Sequence, residues 1–286
     1  MKVLITGWYH TKNYESLIKS CEILGWERVY NMFDADTIFS GDTYFDTRDY
    51  PKKRFIFGPH FCVIPNNTVR TLNNDRKNAV YIQPSLPPIQ MWISEYGVNN
   101  IPLKVYPFGV DTDRFCPNNS IIKSEVFIYY KRRDPKELEF LVNFLNKIGV
   151  TFRVLEYGKY TENEYIDLLD KSVYGIWLGS HESQGFALQE ALSMGVPLLV
   201  WSTTLMKQEY GSTEYNDIKT VHTSTPYWSP CCGEVFCTPE QLENTWKIFQ
   251  SKLPDYDPRT FITTFYSIKC RAKALQTDIV DSIDLD

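Results

Sequence analysis

The sequence lacks the long apolar segments of membrane-spanning proteins. No apolar stretch approaches the roughly 20 residues that a helix needs to cross a bilayer. The opening MKVLITGW is also too short an apolar run for a signal peptide. We therefore expect a cytoplasmic protein without a transmembrane segment. A peripheral membrane contact is left open, because residues 1–110 are slightly basic, with 12 basic and 10 acidic side chains.

A broad basic face is also missing. The 286-residue chain has a formal net charge of −5, whereas proteins that grip the nucleic-acid backbone need clustered cations. A dense basic run, PKKR at residues 51–54, is interpreted as a solvated loop. We expect no nucleic-acid partner.

Metal-binding and disulfide patterns are scarce as well. The seven cysteines include Cys231, Cys232 and Cys237, but no CxxC pairs and no following histidine pair, so we expect reduced thiols. Three of the D-x-D triplets suggest loops and turns rather than strand ends facing a nucleotide. They are Asp34/Asp36, Asp111/Asp113 and Asp255/Asp257. We therefore expect no metal site.

Two catalytic fingerprints are absent. After Gly7 no glycine follows until Gly25, so the G-x-x-G-x-x-G of nucleotide-sugar dehydratases and epimerases is missing. The G-x-S-x-G elbow of serine hydrolases is missing too. These enzyme classes are disfavoured.

What is present is a repeated strand and helix pattern. In the first part KVLIT, ERVYN, DTIFS, RFIFG, AVYIQ and LKVYPF have the continuous hydrophobicity of strands buried on both faces, as in parallel sheets. The stretches FSGDTYFDTRDYPKK and PSLPPIQ are predicted as loops. After a linker at CPNNS the pattern restarts and runs βαβαβαβ from EVFIYY to PLLVWS, followed by helices at the C-terminal end. This order predicts two doubly wound α/β halves.

The segment HESQGFALQEALSMG carries two glutamates at the start of a predicted helix. Free N–H groups and the helix dipole make such a start an anion site, and Gly185 would let an oxygen approach the backbone. Glu182 precedes the turn, and Glu190 lies about two turns in, about 12 Å further along a regular helix. Carboxylates there suit hydroxyl groups at both ends of an anionic ligand, as in a nucleotide diphosphate sugar.

Two segments resemble a known family. Glu182 and Glu190, seven residues apart and followed by ALSMGVPLLVW, resemble the E-x7-E signature of GT-B glycosyltransferases, particularly the retaining family 4 type. YPFGVDTDRFCP, at residues 106–117, resembles the NGVD-x-x-x-F-x-P segment that ends the N-terminal domain of that family. The resemblance is strong over about residues 104–202.

The resemblance implies a fold and a division into domains. The GT-B fold has two Rossmann-like domains facing each other across a cleft, with a C-terminal helix that crosses back onto the first. We predict an N-terminal acceptor-side domain at residues 1–117, a donor-binding domain at 118–257 and the crossover helix at 258–286.

It also implies site residues. In YYKRRDPKE, Lys131 and Arg133 are expected on one side of an extended chain, gripping the diphosphate, with Arg132 as the substitute. Lys136 has the spacing of the family's second cation, and a solvated basic turn is the alternative interpretation. The predicted catalytic residues are Glu182, Lys131, Arg133 and His60, and the predicted donor-binding residues are Gly7, Arg132, Tyr157, Ser183, Gly185, Phe186, Ala187 and Glu190.

Three aromatic or basic residues follow Gly7 where relatives have a glycine-rich turn. Trp8, Tyr9 and His10 shape the acceptor side, since aromatic faces stack on sugars, or belong to the core. The nucleobase is expected near LEYGKY at residues 155–160.

The implied activity is glycosyl transfer. A hexosyl or pentosyl group would move from a UDP- or GDP-sugar to a hydroxyl of a glycan, lipid or protein, with retention and without a cofactor or metal. The alternatives are a catalytically idle GT-B protein that binds a nucleotide or sugar, and a nucleotide-sugar epimerase of the same fold. A phosphorylase is disfavoured by the chain length.

Overall fold

The computed structural model describes residues 1–44, 46–59, 64–66, 69 and 77–285, and the chain divides into two compact units. The first unit comprises Met1–Gly109 and Phe265–Asp286, and the second comprises Val110–Thr264. Each unit is an α/β layer structure built on a parallel sheet, as the runs of continuous hydrophobicity predict.

The sheet of the first unit has six parallel strands in the order β2-β1-β3-β4-β5-β6. The strands are β1 Lys2–Thr6, β2 Glu27–Val29, β3 Thr37–Ser40, β4 Arg54–Phe57, β5 Ala79–Gln83 and β6 Leu103–Val105. Helices α1 (Thr11–Ile23) and α2 (Leu86–Tyr96) belong to the same unit. All residues of β3 and β5 are buried, which places them in the centre of the unit.

Helix α2 occupies residues predicted as a loop. The prolines at positions 87 and 88 lie in its first turn, where backbone N–H groups lack an intrahelical partner in any case. Gly97 ends the helix in the left-handed conformation. The loop prediction for PSLPPIQ is therefore wrong, because prolines this early do not interrupt a helix.

The sheet of the second unit has five parallel strands in the order β11-β10-β9-β7-β8. The strands are β7 Glu125–Lys131, β8 Arg153–Glu156, β9 Ser172–Gly179, β10 Leu198–Trp201 and β11 Gly233–Phe236. The helices are α3 Pro135–Lys147, α4 Glu162–Lys171, α5 Phe186–Ser193, α6 Leu242–Lys252 and α7 Pro258–Phe265. A core that includes Ile128, Ile176 and Leu199 packs this sheet against Leu141 and Phe249 of the helices.

The unit boundaries differ from the predicted residues 117 and 257. Arg259 of α7 donates to the carbonyl oxygens of Phe115 (3.0 Å), Ser193 (2.5 Å) and Thr112 (3.4 Å), all within the second unit. Phe115 itself is buried. These contacts hold residues 110–117 and most of α7 in the second unit.

The C-terminal segment is not the single crossover helix predicted for residues 258–286. After α7, Ser267 caps a separate helix, α8 (Ile268–Ala274), by accepting from the Cys270 N–H, and a π-helical turn follows. Arg271 of α8 donates to the Pro107 carbonyl (3.0 Å), and the Tyr106 hydroxyl donates to the Arg271 carbonyl (3.1 Å). Helix α8 thus belongs to the first unit.

Candidate functional site

Three predicted residues lie at the carboxyl ends of neighbouring strands in the second unit. Lys131 ends β7, Tyr157 follows β8 and Glu182 follows β9 by three residues. Because β7 pairs with both β8 and β9, these ends meet at one edge of the sheet. Ligands of open α/β sheets bind outside this edge.

Lys131 and Glu182 form an ion pair at the edge. The Lys131 ammonium lies 2.6 Å from Oε1 of Glu182, and both side chains are largely buried. The same ammonium lies 4.8 Å from the centre of the Tyr157 ring, within the range of a cation–π contact. The Glu182 N–H donates to the Thr223 carbonyl (3.0 Å) and fixes the turn. The site therefore has a cation held between a carboxylate and an aromatic face.

The turn after Glu182 leads into helix α5. Gly185 precedes the helix with φ 78°, a left-handed conformation that explains the glycine, while a Cβ there would meet the Glu182 side chain only at an ordinary 3.6 Å. Gly185 is the N-cap residue and makes no side-chain cap, and the N–H groups of Phe186 and Ala187 begin the helix. Ser183 lies half-buried in the same turn.

Glu190 is the fifth residue of α5, and 5% of it is exposed. The helix begins only at Phe186, so Glu190 lies little more than one turn into it, not two. Burial is the main reason that the pKa of Tyr160 is raised to about 12. The hydrogen bond to Tyr129 lowers this pKa, whereas the charge of Glu190 and, to a smaller extent, Tyr157 and Glu182 raise it. Tyr160 is therefore close to both glutamates of the E-x7-E pair.

Arg133 does not lie beside Lys131 as predicted. Arg132 has φ 49°, in the left-handed region, so the chain stops alternating after β7 and the Arg133 side chain turns inward. Arg133 is fully buried, donates to both Glu137 oxygens at 2.7 Å and also donates to the carbonyls of Gly179 (3.1 Å) and Trp201 (2.9 Å). Its guanidinium holds α3 to the ends of β9 and β10 and faces no solvent.

Arg132 is the cation beside Lys131 that does face solvent. Its side chain is 58% exposed, and its Nη1 lies 2.8 Å from Oε1 of Glu209. The Tyr210 N–H also donates to the Arg132 carbonyl (2.9 Å), so the segment after β10 is bonded to this residue twice. A left-handed conformation in a residue other than glycine is costly and concentrates at functional sites.

Glu209 joins Arg132 to the turn before Glu182. Only 7% of the Glu209 side chain is exposed, and its second oxygen lies 3.4 Å from Nδ1 of His181. Burial lowers the pKa of His181 to about 3, helped by His222 and by the charges of Lys131 and Arg132. His181 is therefore neutral near pH 7. No sequence motif pointed to Glu209, because it follows β10 in a segment without helix or strand periodicity.

Gly7 lies in the first unit, after β1. A Cβ at this position would come within 2.5 Å of Oδ1 of Asp42, which follows β3, so the glycine makes room for that carboxylate. Its predicted donor-binding role stays a prediction. His60, the remaining predicted catalytic residue, lies outside the described residues. Across the described ranges no three His, Cys, Asp or Glu side chains group as a metal site would require.

The comparisons with known proteins identify the fold. No family model matches the sequence, and no curated protein matches it. Solved structures do match. A glycosyltransferase from Rickettsia africae ESF-5 is 11% identical with a TM-score of 0.59, covering 99% of this chain and 98% of that one. The chain has the GT-B fold.

Two further structures have the same fold. The apo form of the lipopolysaccharide outer core galactosyltransferase WaaB is 13% identical with a TM-score of 0.58, covering 98% of this chain and 99% of that one. Sucrose-phosphate synthase from Thermosynechococcus elongatus is 10% identical with a TM-score of 0.57, covering 96% and 97%. The predicted GT-B fold class is confirmed. None of the helices in the described ranges is long and apolar enough to span a membrane.

Proposed function

We propose that this protein is a glycosyltransferase that moves a hexosyl or pentosyl group from a UDP- or GDP-sugar to an acceptor hydroxyl. The observation that carries the proposal is the Lys131–Glu182 ion pair in the turn that leads into α5. Cations and helix amides suit a diphosphate, and the carboxylate suits sugar hydroxyls. The GT-B fold of glycosyltransferases supports it.

The diphosphate would be held by Lys131, Arg132 and the first amides of α5. Arg132 replaces Arg133 in this role, because Arg133 donates to Glu137 and to two backbone carbonyls. Arginine suits phosphate oxygens through its planar fork of donors. We propose that these groups balance the diphosphate charge without a metal ion. EDTA should then leave the transfer rate unchanged.

In the transfer step the bond between the anomeric carbon and the diphosphate oxygen breaks, and a bond to the acceptor oxygen forms on the same face. The acceptor's proton passes to the departing diphosphate, so the anomeric configuration is retained without a protein nucleophile. Lys131, Arg132 and the helix amides stabilise the charge that develops on the leaving group. Glu182 positions the donor sugar, and Glu190 accepts from the ribose hydroxyls.

The nucleobase would lie beside Tyr157 and Tyr160. Tyr157 is exposed next to Lys131, and Tyr160 lies near both glutamates. An aromatic face of this kind stacks on any base. The distinction between uracil and guanine therefore rests on binding measurements.

The test is calorimetric titration with UDP, GDP and their common sugar conjugates. We expect one nucleotide to bind wild type and to bind Glu190→Gln at least about tenfold more weakly, because charge-assisted bonds to the ribose are lost. Glu139→Gln, a matched change on the exposed face of α3, should bind like wild type. If no nucleotide binds wild type, the proposal is wrong. Binding without sugar release or transfer would instead identify an idle nucleotide-binding protein.

A further inference from the structure

The topology of the first unit predicts a crevice at the carboxyl edge of its sheet. The chain passes from β1 to β2 on one side and continues with β3 on the other side of β1, so the strand order reverses between β1 and β3. In open α/β sheets ligands bind outside the carboxyl ends at such a reversal. Gly7 and Trp8 follow β1, and Gly41 and Asp42 follow β3.

These two loops are in close contact. The Trp8 N–H donates to Oδ1 of Asp42 at 2.8 Å. A Cβ on Gly7 would collide with the same oxygen, and a Cβ on Gly41 would overlap the Trp8 carbonyl. The glycines therefore bring the Trp8 backbone and the Asp42 carboxylate together at the crevice.

The exposed groups of this crevice have the chemistry of sugar recognition. The Trp8 residue is 47% exposed, and Asp42 is exposed. Oδ1 of Asp42 accepts from Trp8 and from the Thr43 hydroxyl (3.2 Å), whereas no donor within the described ranges reaches Oδ2. An aromatic face covers the apolar side of a sugar ring, and a carboxylate accepts from two neighbouring hydroxyls.

Tyr9 adds a polar group beside the same carboxylate. It is buried, and its hydroxyl has no hydrogen-bond partner among the described residues. Burial and then the charge of Asp42 raise its pKa well above the ordinary value, so the hydroxyl is protonated. A buried hydroxyl without a partner is costly, and a polar ligand would supply one.

We infer that Trp8 and Asp42 bind a sugar ring of the acceptor, so that the acceptor is a glycan with at least two neighbouring free hydroxyls. This inference rests on the proposed function and assigns its second substrate. A lipid chain or an apolar peptide would cover the Asp42 carboxylate without giving it hydrogen bonds, which disfavours them here.

The experiment titrates the protein, labelled with ¹⁵N at its indoles, with methyl glycosides of glucose, galactose and mannose. We expect at least one to shift the Trp8 indole resonance, assigned through Trp8→Tyr. Trp8→Ala and Asp42→Asn should each weaken the binding of that glycoside about tenfold or more. Trp8→Tyr should keep most of the affinity, because it keeps an aromatic face.

Two matched controls lie in the segment between β2 and β3. Phe33 is 84% exposed, and its carbonyl accepts from Lys53. Because Lys53 directly precedes β4, this contact places Phe33 at the amino edge of the sheet, opposite the carboxyl edge that carries Trp8 and Asp42. Asp34 is the adjacent exposed carboxylate. Phe33→Ala and Asp34→Asn should bind the glycoside like wild type.

The outcomes separate this inference from the proposed function. Nucleotide affinity should be unchanged in Trp8→Ala and Asp42→Asn, because neither belongs to the groups proposed to hold the nucleotide. The acceptor inference is overturned if no glycoside shifts the Trp8 resonance, if both variants bind it like wild type, or if phosphatidylglycerol vesicles shift it instead. Glycoside binding in a protein that binds no nucleotide would overturn the proposed function alone.

Discussion

The carboxyl edges of the two sheets differ in chemistry although the two units share one architecture. In the second unit the edge carries paired charges, with Lys131 against Glu182 and Arg132 against Glu209. In the first unit the corresponding edge carries an exposed indole, Trp8, and one carboxylate, Asp42. Parallel strands deliver residues to both edges in the same way, and the loops after the strands decide which ligand each edge suits.

The comparison also separates cations that face a ligand from cations that hold the fold. Lys131 and Arg133 are two residues apart in the sequence. One lies at the edge of the sheet and the other is buried beneath it. The predictions below test that separation and the contrast between the two edges.

The largest effect is expected for Arg133→Met. It leaves Glu137 and the carbonyls of Gly179 and Trp201 without their donor, and breaking a buried ion pair costs about 3–5 kcal/mol. Urea unfolding of the second unit measures the loss, with Lys136→Met at the exposed start of α3 as the control. If Arg133→Met left the stability unchanged but abolished nucleotide binding, Arg133 would be a nucleotide-binding residue and not a structural one.

Lys131→Gln should lower turnover about 10²–10³-fold. It removes a charge that would stabilise the leaving diphosphate, and single preorganised groups contribute on that scale. Steady-state transfer with a saturating donor measures the effect. Lys147→Gln, an exposed change at the end of α3, should keep wild-type turnover. Equal rates for the two variants would mean that the charged edge is not the reacting one.

For the first unit, Gly7→Ala should cost about 1–3 kcal/mol. The new methyl group collides with Oδ1 of Asp42, and φ 77° strains any side chain. Gly25→Ala is the matched control, because Gly25 has φ 65° with nothing within 4 Å of a Cβ. Thermal unfolding should therefore give a lower melting temperature for Gly7→Ala than for Gly25→Ala. Equal losses of stability in the two variants would show that Asp42 does not lie close enough to Gly7 to exclude a methyl group.

The smallest effect is a pH dependence from His181. Because burial lowers its pKa to about 3, the unfolded chain binds the proton first as the pH falls below about 6.5, and stability falls with it. Between about pH 7.5 and 5.5 the free energy of unfolding should fall by about 1 kcal/mol for this reason. The drop should be smaller in His181→Gln and unchanged in the control His10→Asn. Identical drops in all three proteins would contradict a neutral, buried His181.

The sequence predicted the parallel sheets for a physical reason, whereas the contact between Lys131 and Glu182 was not predicted. Runs of continuous hydrophobicity form strands buried on both faces, and such strands are parallel. Residues that follow neighbouring strands then meet at one edge, which brings Lys131 to Glu182 across 51 positions of sequence.

The remaining features depend on backbone geometry and tertiary contacts. The inward turn of Arg133 follows from the left-handed conformation of Arg132. An arginine gives no indication in the sequence that its backbone adopts this conformation. Glu209 reaches Arg132 across 77 positions from a segment without periodicity. Ser267 divides the C-terminal segment by capping α8, although the sequence there reads as one helix.

The most direct test of the account is hydrogen exchange with and without UDP or GDP. The account predicts slower exchange at residues 131–132, 157–160 and 182–190, and unchanged exchange at residues 8–10 and 41–42. Protection at the first-unit edge without protection around Glu182 would contradict the assignment of the donor to the second unit.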